Sequence, residues 1–302
     1  VVSASAASYN NLTDKDEIVN KDAVSMLVSL GIIEGKPDGS YGPTENVDRA
    51  QMAKMLSVIM NKGVDNSALY QSVNSGLVDV NTNWAKGHIN YCYTTGIIAG
   101  RGTGTFDPSA TVTALEAAKM LLVAVGYDPA IEGFEGADWA INVSVRADEQ
   151  GIFEGFTKDL SAPLNRDDAA LLIYNALDVE MIQSYTTNNY PIVYSDHRTI
   201  LSDKYGVIKV EGVVTANEWA ILDDDTDTAL QEGKTRIYNP DGILSTTGNT
   251  AVAQDSSANV KTQVFNVSTP VDMLGKAVTM YVKKTTILAD STVYGAPVVS
   301  DV

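Results

Sequence analysis

The sequence predicts a multidomain chain: an all-α-rich domain of three repeats packed around a shared axis, then a small all-β domain, a barrel or a sandwich. Three observations predict it. One Gly-bounded turn occurs three times, each copy leads to a capped helix start, and after about residue 185 the texture changes to short β-branched runs. A length of 302 residues with 44% hydrophobic residues is enough for more than one core. The boundaries read as a terminal segment 1–8, repeats at 9–70, 71–128 and 129–185, a linker at 186–199, and a β-rich domain at 200–302.

The first segment reads VVSASAAS. Its Ala4-Ser5-Ala6 resembles the tail and cleavage site of a signal peptide, or it is a flexible small-residue terminus. No apolar stretch approaches the length of about 18 residues that a membrane-spanning helix needs.

The repeated turn reads LGIIEG at 30–35, TGIIAG at 95–100 and QGIFEG at 150–155. Its first glycines, Gly31, Gly96 and Gly151, are spaced by 65 and 55 residues. Each ends a helix, where glycine takes the left-handed conformation that other residues resist. Twelve residues earlier stand Val19, Trp84 and Trp139, and seventeen earlier Asp14, Asp79 and Phe134. Downstream, KPDGSYGP at 36–43 matches RGTGTFDP at 101–108, and FTKDLSAP at 156–163 is a shorter version.

A second helix then begins in each copy. Asp48, Thr113 and Asn165 are N-cap residues whose side-chain oxygens accept free backbone N–H groups. Gln51 and Glu116 complete capping boxes three residues on, and Asp168 is a shorter approximation. Val47, Val112 and Leu164 precede the caps as hydrophobic staples. A single helix pair cannot bury both apolar faces, so three pack together with clefts between neighbours.

These residues resemble the S-layer homology family: Asp79, Trp84, the turn 96–100, Phe106 to Pro108, and the helix start Thr113 to Glu116, recurring over residues 9–180. The resemblance implies a pseudo-trimeric helical domain. It also implies non-covalent binding of secondary cell-wall polysaccharide, often pyruvylated, in the grooves between repeats. The basic residue of the helix start contributes to that binding in the family and falls here on Arg49 and Arg166. Ala114 takes its place in the second copy, where Lys119 or Arg101 are the candidate substitutes.

The chemistry fits such a ligand. A carboxylate-bearing sugar suits a guanidinium fork in a partly desolvated cleft. Trp84 and Trp139 either stack on sugar faces or anchor the core. Asp14 and Asp79, with the turn glycines Gly35, Gly100 and Gly155, complete the candidate polysaccharide site, since glycine lets backbone N–H groups approach a ligand. Glu116 and Asp168 have sufficient work as caps and are not read as a catalytic pair.

From residue 200 the expected strands are 205–216, 234–238, 261–267, 276–284 and 292–299, with a turn at NPDG, 239–242, and a short helical turn at 271–276. Asp223, Asp225 and Asp227 alternate in LDDDTDTA, either as a Ca²⁺ site or as a solvated acidic tip. No other cofactor is expected.

A formal charge of −17 argues against nucleic acid as a partner. One cysteine, Cys92, excludes an intrachain disulfide; its helical spacing with Ala85 and Ile89 reads as a buried thiol. Neither histidine, His88 or His197, has a nucleophile motif beside it, so no enzyme activity is expected. The expected function is non-enzymatic anchoring of a secreted protein at a bacterial cell surface of Gram-positive type. The β-domain would then serve as spacer or as a self-associating lattice contact. The alternatives are the anchoring part of a longer exported enzyme and a wall-anchored adhesin.

Overall fold

The computed structural model describes residues 9–222, 228–242, 260–283 and 291–300. The chain divides into two compact units, residues 1–193 and 194–302. The terminal segment 1–8 and the acidic positions Asp223, Asp225 and Asp227 lie outside the described residues.

The first unit contains three helix pairs: α1 (Lys21–Ser29) with α2 (Arg49–Met60), α3 (Lys86–Thr94) with α4 (Ala114–Val125), and α5 (Trp139–Glu149) with α6 (Arg166–Leu177). Gly31, Gly96 and Gly151 adopt φ of +71°, +79° and +70° just past the first helix of each pair. Asp48 and Thr113 form reciprocal capping boxes with Gln51 and Glu116. Asn165 accepts the Asp168 N–H, but the shorter Asp168 side chain returns no bond and is held by Lys158 instead.

The residues before the caps do more than staple. The Val47 N–H donates to Leu164 O at 2.8 Å, the Leu164 N–H to Val112 O at 2.7 Å, and the Val112 N–H to Val47 O at 2.9 Å. Three extended segments, one per helix pair, thus close a ring of backbone hydrogen bonds, with all three side chains no more than 1% exposed. Isolated bridges join Asn46 to Asn165, Asp48 to Thr111 and Thr113 to Pro163. The all-α-rich repeat domain that was expected thus also contains extended segments: burying the entry to each helix leaves its N–H groups needing partners, and a neighbouring segment supplies them. One correction is a small antiparallel hairpin, β1 (Ile182–Tyr185) and β2 (Pro191–Val193), where a linker was expected from residue 186. The Tyr185 hydroxyl donates to Glu132 at 3.0 Å and accepts from the Asp128 N–H, holding the hairpin to the loop between α4 and α5.

The second unit is a five-stranded antiparallel sheet with order β5-β4-β3-β6-β7: β3 (Val207–Asn217), β4 (Thr235–Tyr238), β5 (Thr262–Phe265), β6 (Ala277–Lys283) and β7 (Val293–Val299). Alternation puts Ile208, Val210, Val278, Met280, Val282, Ile237 and Phe265 into one core. All five expected strands are present. The barrel is not: among the described residues β5 and β7 lie at opposite edges and do not pair, so the sheet stays open.

Candidate functional site

Two cavities in the first unit are built to one plan. The first, of about 300 Å³, is lined by the turn 31–36, by Gln51, Lys54 and Met55 of α2, by Asp65 and Trp84, and by Arg166. The second, of about 470 Å³, is lined by Ala99 to Gly102, by Glu116, Lys119 and Met120 of α4, by Phe134 to Gly136 and Trp139, and by Arg49. Each therefore draws on three helix pairs. One gives turn and lysine, another the tryptophan at or just before the start of its first helix, and the remaining one the arginine.

The arginines make matching contacts. Arg49 Nε donates to Phe106 O at 2.8 Å and Nη2 to Ala99 O at 2.9 Å, with the guanidinium 4.3 Å from the Phe106 ring centroid. Arg166 Nε donates to Tyr41 O at 2.8 Å and Nη2 to Glu34 O at 3.2 Å, 4.7 Å from the Tyr41 ring. Both clamp a neighbouring repeat's loop and turn with two of their five N–H donors. Arg49 is 4% exposed, and Nη1 stands 3.9 Å from Glu116. Burial first, then nearby Arg101, pull its guanidinium down to about 10, still charged at neutral pH.

The lysines complete each wall. Lys119 Nζ donates to Phe134 O at 2.6 Å and lies 5.6 Å from the Trp139 ring. Burial pulls its ammonium below the usual lysine range. Lys54 stands 3.9 Å from Glu34. Lys54 had no part in the expected site; its spacing from Asp48 equals that of Lys119 from Thr113, and this was the available signal. Trp84 is 58% exposed and Trp139 half-buried, so neither anchors the core.

Asp14 and Asp79 do not line these cavities. Asp14 accepts the Tyr41 and Gly42 N–H groups at 2.7 Å each, and Asp79 those of Phe106 and Asp107. Burial opposes their ionisation, but these donations prevail and hold both carboxyls below the usual range. They fix the loop that carries the aromatic platform for each arginine. Gly35 and Gly100 do line the cavities, because the returning chain leaves no room: a Cβ on Gly100 would sit 2.9 Å from Thr105 O.

The third place in this plan is chemically different. Ala114, fully buried, stands where the arginine would be, Leu171 where the lysine would be, and Val19 where the tryptophan would be. Arg101 and Lys119 do not compensate: both belong to the Arg49 cavity, where Arg101 pairs with Glu116 at 2.6 Å. Gly155 lies against Leu171 at φ +74°.

Ser57 and His88 form an unexpected buried pair, Oγ to Nδ1 at 2.6 Å, with Asp65 Oδ2 3.6 Å from Nε2. Ser57 is 4% exposed, which closes its hydroxyl to a substrate. Cys92 is fully buried, and burial pushes its thiol well above the usual range. Iodoacetamide at pH 8 is expected to leave the folded chain unlabelled and to label it in urea; rapid labelling of the folded chain would contradict this burial.

Among known proteins, the S-layer homology domain model matches residues 11–53 and 78–118. A cell surface protein of Thermoanaerobacter kivui is 28% identical over 243 residues, 80% of this chain and 29% of that protein. An S-layer protein of Bacillus licheniformis is 33% identical over 113 residues, 37% of this chain and 12% of its own length. An amylopullulanase of Thermoanaerobacterium thermosulfurigenes is 30% identical over 173 residues, 52% of this chain and 9% of the enzyme. The chain thus spans less than a third of the length of these relatives. The segments matching the S-layer homology domain model thus run through the first helix and into the second helix of two of the three pairs, and S-layer and cell surface proteins are among the chain's relatives.

Proposed function

We propose that the first unit is a non-covalent wall anchor with three-fold pseudo-symmetry. It binds acidic, pyruvylated secondary cell-wall polysaccharide in the Arg166 and Arg49 cavities and holds a secreted protein at the cell surface. The observation that carries this reading is the twofold occurrence of one lysine–tryptophan–arginine set, each member from a different helix pair. A carboxylate on a sugar ring needs a cation at its charged end and an apolar platform under its face, and both cavities offer the two together. Residues 129–185 are the third repeat. The third place, with Ala114, Leu171 and Val19 at the arginine, lysine and tryptophan positions, does not bind, so the anchor takes two ligands.

The lysines are the groups to test. Arg49 and Arg166 each hold two backbone carbonyls, whereas Lys119 holds one, Phe134 O, and Lys54 stands 3.9 Å from Glu34, so the lysines turn toward a ligand at less structural loss. Purified walls are expected to retain the chain. Lys54→Ala or Lys119→Ala should each weaken retention roughly tenfold, about the value of one charge-assisted hydrogen bond, and the pair should abolish it. Depyruvylated walls should fail to retain the parent chain. Retention unaffected by the double variant would remove the cavities as the binding sites.

The amylopullulanase among the relatives, and the short share of each relative covered, favour a second reading. Here the same anchor serves a longer exported enzyme, and the β-sheet unit is a spacer rather than a lattice contact. The complete reading frame separates the two: a downstream catalytic domain supports the second.

A further inference from the structure

The two cavities differ in what lies behind their walls. Behind the Arg166 cavity, His88 is 4% exposed and packs against two of its lining residues, Trp84 at 6.4 Å between ring centroids and Asp65 at 3.6 Å, and against Ser57 behind the wall, whose Oγ also lies 3.0 Å from Lys54 O. At the corresponding places behind the Arg49 cavity stand Val143 and Leu122, both fully buried. One cavity is backed by a polar pair with one titratable member, His88, and the other by an apolar pair.

We propose that His88 is a proton-sensing residue that makes the Arg166 cavity, and not the Arg49 cavity, bind anionic sugars more strongly as the pH falls. This rests on the binding role assigned above to both cavities. The geometry supplies the sign. A hydroxyl has one proton. When Ser57 donates it to Lys54 O, Nδ1 must carry the ring proton and donate to Oγ, which leaves Nε2 bare and facing the Asp65 carboxylate. A second proton on the ring gives that carboxylate a cationic partner.

The wall then changes its balance. Its ionised groups are Lys36, Lys54 and Arg166 against Glu34 and Asp65. The charged groups facing the imidazole are Lys54 from α2 and Asp65 from the following loop. The short turn Ser67–Tyr70 brings only Tyr70, which packs on Tyr91 farther along α3. Offsetting Asp65 raises the excess of cations from one to two, so an anion is held more tightly. Burial keeps His88 below the usual histidine range, Asp65 opposes that shift and Lys54 adds to it. The ring is therefore neutral at pH 7 and takes its second proton only below the usual histidine range. His88 is the first unit's sole histidine.

The test uses the full chain carrying Lys119→Ala, so that the Arg166 cavity alone reports, with a pyruvate ketal of a methyl hexopyranoside as probe. Calorimetry at pH 8 and pH 5 should show a dissociation constant on the order of three- to tenfold lower at pH 5, as one added charge a few ångströms behind the wall requires. Reciprocity demands that the probe raise the pH midpoint of His88, followed by its imidazole NMR signals, by the same factor. The converse chain, with Lys54→Ala, should bind equally at both pH values. His88→Gln, which can keep the Ser57 bond, should abolish the pH response, as should the paired change Ser57→Leu with His88→Val copied from the other cavity. Equal binding at both pH values, or a response that survives either His88 variant, overturns the proposal while leaving the anchor intact. Absence of probe binding to the parent chain at both pH values overturns the binding reading, and this inference with it.

Discussion

Arg49→Ala is expected to destabilise the first unit by about 3 kcal/mol. Truncation strands the Phe106 and Ala99 carbonyls, strips the Phe106 ring of its guanidinium, and opens a void beside a fully buried phenyl. An unpartnered buried acceptor costs about 1–3 kcal/mol, and lost packing adds to it. Denaturant unfolding, with the slope checked for constancy, measures the change. A loss under about 1 kcal/mol would mean that the guanidinium does not hold the turn. The result also governs how binding data are interpreted. Loss of wall retention in Arg49→Ala can follow from a displaced turn without any ligand contact, whereas Lys119→Ala leaves that clamp in place.

Gly87→Ala is expected to destabilise despite improving helix propensity. An exposed glycine in a helix gives up about 1 kcal/mol relative to alanine. Gly87, however, is buried on α3 where the turn Ser67–Tyr70 crosses it, and an added Cβ would fall 2.1 Å from Ser67 O and 2.7 Å from its carbonyl carbon. The obstacle is backbone, so the turn must move, at about 2–3 kcal/mol or more. The net expectation is a loss of about 1–2 kcal/mol by thermal or urea unfolding. A stabilised variant would show that the turn yields freely. Gly96→Ala provides a contrast: its Cβ meets open space, and only the left-handed backbone resists.

The local structure was legible because caps, turn glycines and β-branched runs act within a few residues of themselves. Asp48 and Thr113 announce their helices, and Gly31 ends one. Aromatic-x-Pro loops and carboxylates such as Asp79 are also visible, but their purpose is not. Asp79 resembles a ligand contact until its partners, Phe106 and Asp107, are seen 27 and 28 residues away. The same holds for Arg49, whose acceptors belong to the next repeat. Ser57 and His88 meet across 31 residues with no local pattern to mark them. Trp84 was ambiguous between core and surface because helical spacing states which face a side chain occupies, not whether another element covers it. The open sheet escaped notice because strand number and length do not determine whether edges meet.

The ring joining Val47, Val112 and Leu164 limits how this fold can evolve. In a solenoid, each new unit docks on the exposed end of the last, and duplication lengthens the protein. Here the first segment's N–H is already taken by the last segment's carbonyl, and no member of the cycle offers a free valence. A fourth unit has nowhere to pair, and removal of one leaves two frayed ends. Copy number is therefore held at three by main-chain geometry. That helps to explain how a third place with Ala114, Leu171 and Val19 at the arginine, lysine and tryptophan positions persists: the backbone around it is required even where the binding chemistry has gone.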